Sequence, residues 1–306
     1  MAFYLGIDGG GTKTRCVLAN ETAVLATTVS GASNIVRIGE AQARASLHAA
    51  MRQACAVAKV AHEQIQFVCI GAAGAARPEV AAKLRSILAE LNPSLRIEIV
   101  SDAEIALAAA FGESPGVIAI AGTGSMVYGR DPAGHTARAG GWGFAISDEG
   151  SGHWIGRNAI SALMHARDQG QETELTSLIL ETWKLRSIDA LIQHANATPS
   201  PEFPRLFPLV VRAAEHGDAV ARELLERAGR ELAALATTVL HRVAPDPPYV
   251  PVALTGSVFR QSEIVRRVFY HHLEGSFPGI KLLDDFVEPV MGALALARAA
   301  GSAKTG

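Results

Sequence analysis

Cysteine is scarce in this chain of 306 residues: Cys16, Cys55 and Cys69 are the only three, an odd number with no CxxC pair. That excludes a disulfide framework and a tetrahedral cysteine–zinc site, and leaves small apolar side chains suited to a reducing compartment. Long hydrophobic runs are missing too; none approaches the roughly 20 residues that a membrane span needs. No basic segment with an apolar core behind it precedes the strand-like run ending at Ile7, so no signal peptide is expected and the chain reads as cytoplasmic. Neither sign of charge is in excess: 28 Lys plus Arg against 30 Asp plus Glu leave a net charge of -2. Nucleic acid and anionic membranes therefore find no general attraction here. The ten histidines show no HExxH or comparable ligand spacing, and no helix-turn-helix precedes the first strand. Any phosphate this chain handles has to be held locally.

What is present suits a folded α/β protein. Hydrophobic residues make up 49% and charged residues 19%, and the length is comfortable for two domains. Phe3–Ile7, Arg15–Ala19 and Val24–Val29 read as an antiparallel three-stranded start. Leu47, Ala50, Met51, Ala54, Cys55 and Ala58 recur at helical spacing. Phe67–Gly71 and Ile97–Val100 read as strands, Glu79–Glu90 and Ala103–Ala110 as helices. After Ser114-Pro115-Gly116 a similar order begins again, with strands Val117–Ala121 and Met126–Arg130 and a helix over Gly150–Arg167. Gln171–Pro208 is the least regular stretch and reads as an insertion of helix and loop. Asp218 is a plausible N-cap for a long helix. A strand at Val252–Leu254, a helix at Ser262–His272, a strand at Ile280–Leu283 and a helix at Pro289–Ala299 follow, and Gly301–Gly306 reads as a frayed tail. The expected architecture is two duplicated α/β halves, 1–115 and 116–306, with a cleft between them and the last helix returning to the first half.

The turns that open the halves carry the chemistry. Asp8-Gly9-Gly10-Gly11-Thr12-Lys13 joins two strands. Its glycines let backbone N–H groups approach a polyphosphate, and Asp8 could hold Mg²⁺ directly or through water. A P-loop is excluded because Thr12-Lys13 stands where Lys-Ser/Thr is required, and a dinucleotide fingerprint because Thr14 takes the third glycine position. An ordinary tight hairpin is the alternative. Ala121-Gly122-Thr123-Gly124-Ser125 repeats the construction, and Leu254-Thr255-Gly256-Ser257 is a third small-residue turn, suited to a nucleoside or to a simple helix cap.

These turns, with Gly140-Gly-Trp-Gly143 and Asp148-Glu-Gly-Ser151, stand in the order and approximate spacing of the N-acetylglucosamine kinase family. The resemblance spans roughly Leu5 to Ala297 and places the chain among the activator-type ATPases of the actin-like superfamily. It implies ATP and Mg²⁺, with Gly10, Gly11, Thr12 and Lys13 at the first phosphate turn, Thr123 and Gly124 at the second, and Gly256 and Ser257 on the nucleotide side. It implies Asp102 as catalytic base and sugar contact, and Asn34, Trp142, Gly143 and Asp148 as further sugar contacts. Cysteines for the iron–sulfur cluster of dehydratase activators, and the zinc motif of repressor-type sugar kinases, are absent.

The expected reaction is attack of an amino-sugar hydroxyl, O6 of N-acetylglucosamine, on the γ-phosphorus of ATP. By local sequence alone Asp102 reads as well as part of the N-cap of helix Ala103–Ala110, and Asp148 as the cap of the helix after Gly150. His153 lies near the expected pocket, and Trp142 reads either as an apolar wall or as core. Glucosamine kinase is the rival within the enzyme class; an activator ATPase acting on a protein partner is the rival outside it. A homodimer fits the resemblance, but no interface can be read from the residues.

Overall fold

In the computed structural model, which describes residues 2–302, the chain forms two units: Met1–Ile118 together with the segment from Val287 onward, and Ala119–Phe286. The first unit is built on strands β1 (Phe3–Gly9), β2 (Lys13–Ala19) and β3 (Val24–Gly31). Helices α1 (Ile35–Ile38) and α2 (Glu40–Ala58) follow, then β4 (Ile65–Ala72), α3 (Pro78–Ala89), β5 (Arg96–Val100) and α4 (Asp102–Phe111). The sheet order is β3-β2-β1-β4-β5. β1 runs antiparallel to β2 and parallel to β4, and β2 antiparallel to β3, so the expected three-stranded start is present.

Period-two alternation sorts the strand residues between two cores. Leu5, Ile7, Cys16 and Leu18 face α2 and α3, where Leu47, Met51, Leu84 and Ile87 close the layer. Tyr4, Val17, Phe67 and Cys69 belong to the opposite core with Ile105 of α4. Each fully buried Leu or Ile of these layers contributes about 1.5–3 kcal/mol of transfer free energy. Asp8 lies one period beyond Gly6 and two beyond Tyr4, on the α4 side of the sheet. Burial pushes the Cys16 and Cys69 thiols well above their ordinary pKa, which keeps them unreactive.

The second unit contains β6 (Gly116–Ala121), whose first residues precede the boundary, β7 (Ser125–Arg130), β8 (Thr136–Gly140) and β9 (Val252–Thr255). Its helices are α5 (Gly152–Asp168), α6 (Leu175–Thr182), α7 (Ile188–Ala195), α8 (Phe207–Glu215), α9 (Ala219–Val243), α10 (Ser257–Gln261) and α11 (Glu263–Ser276). The order β8-β7-β6-β9 repeats β3-β2-β1-β4 of the first unit, which is the actin-like duplication. Asp218 caps α9 as expected, its carboxylate accepting from the Ala221 N–H at 2.9 Å. The stretch read as irregular is largely helical, anchored by Leu175, Ile179, Leu191 and Leu206.

One strand lies outside the expectations, and one of the expectations needs correction. β8 has no counterpart among them, because Thr136-Ala-Arg-Ala-Gly140 carries no run of large apolar residues. Ile280–Leu283 is not a strand: only Leu282 bridges Val252, with the Leu283 N–H on the Val252 carbonyl at 2.8 Å. Pro278-Gly279 before it and Asp284-Asp285 after it leave too little chain to extend the ladder.

The chain's last helix, α12 (Pro289–Ser302), belongs to the first unit. Val290, Ala293, Leu294 and Ala297 complete the core around Ile105. Two glycines permit the approach: a Cβ at Gly6 would lie 2.5 Å from the Leu294 nitrogen, and one at Gly292 would overlap the Ile105 carbonyl. Gly301 and Ser302, expected as frayed tail, are helical; residues 303–306 of that tail lie outside the described residues. Among the described residues no helix is long and apolar enough to cross a membrane.

Candidate active site

The β1–β2 turn is held by its own backbone and by a second segment. Gly10 N–H donates to the Lys13 carbonyl at 3.1 Å. A Cβ on Gly10 would stand 2.8 Å from that oxygen, so only glycine fits. Ser33 N–H donates to the Gly10 carbonyl at 3.1 Å, and the buried Thr14 hydroxyl lies 2.7 Å from both the Ser33 hydroxyl and the Gly31 carbonyl. The turn is thereby tied to Asn34, which caps α1: its Oδ1 accepts from the N–H groups of Val36 and Arg37 at 3.1 and 3.3 Å. That leaves the Asn34 amide NH₂ free to donate. Thr12 and Lys13 are exposed at the turn's tip.

Asp8 is next to last in β1, directly across from Arg15, whose guanidinium is ion-paired with Glu288 just ahead of α12. Asp102 is the first residue of α4, but it does not cap it. Ser101 does: its hydroxyl accepts from the Glu104 N–H at 3.2 Å, and the Glu104 carboxylate accepts from the Ser101 N–H at 2.8 Å. The Asp102 carboxylate is therefore not needed to close the helix; its Oδ1 lies 3.1 Å from the Ala103 nitrogen. Burial, and then the negative charge of Asp102, push the Asp8 carboxyl up to about 6, with Arg15 and Lys13 opposing. Two carboxylates that repel each other beside a glycine turn fit Mg²⁺, which takes one or two protein carboxylates and completes its shell with phosphate and water.

In the second unit the β6–β7 turn closes with the Gly122 N–H on the Gly124 carbonyl at 2.9 Å. The carbonyls of Gly122 and Thr123 accept from the N–H groups of Gly152 and His153, at 2.8 and 3.2 Å, at the start of α5. Asp148 is only 8% exposed and packs into this turn: a Cβ on Gly124 would lie 3.0 Å from its Oδ2, and the Ser125 nitrogen lies 3.4 Å from its Oδ1. It holds a left-handed φ of 70°, which costs a non-glycine residue about 1 kcal/mol. The cap of α5 is Ser151 rather than Asp148, accepting from the Trp154 N–H at 3.1 Å. Gly256, with φ 104°, comes so close that a Cβ would overlap the Ala121 carbonyl, which sets the third turn and Ser257 against the second.

Thr123, Gly124, Asp148, Gly256 and Ser257 are thus one cluster, as Asp8, Gly10, Gly11, Thr12, Lys13, Asn34 and Asp102 are the candidate residues of the first unit. Trp142 and Gly143 stand on the loop between β8 and Asp148. Trp142 is 62% exposed and stacks under the Arg138 guanidinium at 4.1 Å, so it is not core. The His153 ring packs on Phe144 and Phe203. Sequence reading missed Arg37 at the first turn and the Arg15–Glu288 pair; neither follows a motif. The Ser101 cap was legible in Ser101-x-x-Glu104.

Comparison with known proteins adds identity to this geometry. The sequence profile of the BadF/BadG/BcrA/BcrD ATPase family matches residues 5–297. An N-acetylmuramic acid/N-acetylglucosamine kinase of Clostridium acetobutylicum is 32% identical over 302 residues, 97% of this chain and 99% of that protein. An N-acetyl-D-glucosamine kinase of Dictyostelium discoideum is 29% identical, covering 96% of this chain and 97% of its own. Among solved structures, a Chromobacterium violaceum chain provisionally described as an N-acetylglucosamine kinase superposes with a TM-score of 0.80 at 28% identity, over 97% of this chain and 99% of that one.

Proposed function

This chain belongs to the BadF/BadG/BcrA/BcrD ATPase family, and from that premise we propose that it is an ATP-dependent amino-sugar kinase whose acceptor is O6 of N-acetylglucosamine. The observation that carries the reading is Asp102: a carboxylate on the first turn of α4, relieved of capping by Ser101 and placed near Asp8. A carboxylate so placed serves as a general base. The sugar oxygen attacks the γ-phosphorus, an O–P bond forms, and the bond to the β–γ bridging oxygen breaks with its electron pair leaving on ADP. The hydroxyl proton passes to Asp102.

The remaining residues position the reactants. Gly10 shapes the first turn, where Gly11, Thr12 and Lys13 hold phosphate oxygens through backbone N–H groups and the lysine charge; Thr123 and Gly124 offer backbone N–H groups from the second unit, and Gly256 with Ser257 receives the nucleoside. Asn34 offers its amide NH₂ to the acetamido carbonyl, and Trp142, Gly143 and Asp148 contact the sugar. Asp8 holds Mg²⁺, which when bound neutralises phosphate charge.

ADP release measured with N-acetylglucosamine, glucosamine and glucose tests the reading. We expect the highest kcat/KM for N-acetylglucosamine, because an amide committed to an acetamide rejects sugars that lack it. Equal or better turnover of glucosamine favours the glucosamine-kinase alternative, and no turnover of any sugar overturns the reading.

A further inference from the structure

Arg37 is absent from every role assigned so far, and its surroundings are unusual for a surface arginine. It stands on α1, one helical turn from Asn34, and its Nη1 donates to the Gly11 carbonyl at 3.2 Å. A Cβ on Gly11 would lie 3.4 Å from that nitrogen and 3.9 Å from the Arg37 Cδ, so the side chain runs along the glycine turn. Its backbone is fixed by the Asn34 cap, and the cap by the Ser33 bond to Gly10. No carboxylate among the described residues pairs with it, although Arg15 nearby is neutralised by Glu288. A guanidinium has five N–H donors in a planar fork, and one of them is spent on Gly11. A fixed, uncompensated cation at a turn of this construction is arranged for an anion that arrives with a ligand.

We propose that Arg37 donates to the terminal phosphoryl group of the nucleotide and follows it as it is transferred. This rests on the kinase reading for its chemistry and on the first glycine turn for its place. The bonds made and broken are those given above; Arg37 exchanges no proton and supplies hydrogen bonds to the non-bridging oxygens, whose charge it offsets. Because one donor grips the Gly11 carbonyl, the cation is already oriented when the nucleotide binds.

The test compares ATP with ADP, which differ by the group Arg37 is to meet. Affinities of both nucleotides are measured by calorimetry, with Mg²⁺, for the full chain and for Arg37→Ala and Arg37→Lys. Arg37→Ala should leave ADP affinity within about twofold and weaken ATP roughly tenfold, as loss of a hydrogen bond to a charged group does. With N-acetylglucosamine as acceptor, kcat should fall at least tenfold, within the range for a lost donor to developing charge. Arg37→Lys should recover part of it, and millimolar guanidinium, against a sodium chloride control, should restore part of the Arg37→Ala rate. Equal weakening of ATP and ADP would show that Arg37 only braces the turn and would overturn the proposal. So would unchanged ATP affinity. If the unaltered chain phosphorylates no amino sugar, the kinase reading fails while the ATP–ADP difference still decides the role of Arg37; binding of neither nucleotide overturns both.

Discussion

At position 102 a change of one atom separates proton transfer from folding. Asp102→Asn keeps the shape of the side chain and removes the base, so kcat should fall at least about 10²-fold. The melting temperature should stay within a degree or two, since Ser101 and Glu104 carry the cap. Ser101→Ala should do the reverse, costing about 1 kcal/mol of stability in denaturant titrations while sparing most of the turnover. An Asp102→Asn variant that retains a tenth of the rate removes Asp102 from the mechanism. Asp8 makes a prediction with a definite sign. Its folded pKa is raised to about 6 above the ordinary value of 3.8, so the folded state holds the proton longer. Stability in metal-free buffer is therefore greatest below pH 4 on this account and declines as pH rises from about 4 to about 6. Asp8→Asn should stabilise the chain at pH 7 by about 2 kcal/mol after allowance for solvent screening, and the gain should vanish below pH 4. A gain that persists at pH 3.5 would remove the charge as its cause. The glycine turns were legible because close backbone approach leaves marks in the sequence; the position of Asp102 after β5 was legible too, but its proposed role came from the family resemblance and not from the local pattern. Arg37 was not, since nothing local says that a short capped helix folds back over Gly11. Asp148 was read as a sugar contact or a helix cap, not as a partner of the second glycine turn, where Ser125 stands 23 positions away along the chain.

Among the elements, strands and helices with large apolar side chains on a regular period fell within a few residues of their sequence-based ranges. The misses share a cause: β8 and the 280–283 segment are decided by whether a neighbouring ladder accepts them, which local pattern does not encode. The same distinction governs helix glycines. Gly292 of α12 faces the Ile105 carbonyl, where a Cβ has no room, whereas Gly275 near the end of α11 has nothing within 4 Å. Gly292→Ala should destabilise by about 1–3 kcal/mol through overpacking, and Gly275→Ala should stabilise by roughly 0.5–1 kcal/mol through the unfolded state. Thermal melts of the pair decide it; a Gly292→Ala variant as stable as the parent would mean that α12 does not sit against α4 as described.

For the whole molecule, the route of the chain matters more than any one contact. The second unit is continuous in sequence, but the first is completed only by α12, which supplies Val290, Ala293 and Leu294 to the core on the α4 side. A fragment of residues 116–286 should therefore unfold cooperatively by circular dichroism, while one of residues 1–118 should not until a peptide of residues 287–302 is added. Cooperative unfolding of 1–118 alone would show that α12 is dispensable. During synthesis the order is inverted: the part begun first is finished last, after the ribosome has worked through the entire second unit for roughly ten to thirty seconds. Until then Tyr4, Val17 and Phe67 lack their cover, and Arg15, the cross-strand neighbour of Asp8, lacks Glu288. A nascent chain interrupted between Ser125 and Val287 would carry both glycine turns yet present an open apolar face, which marks it for chaperones and proteases rather than for nucleotide.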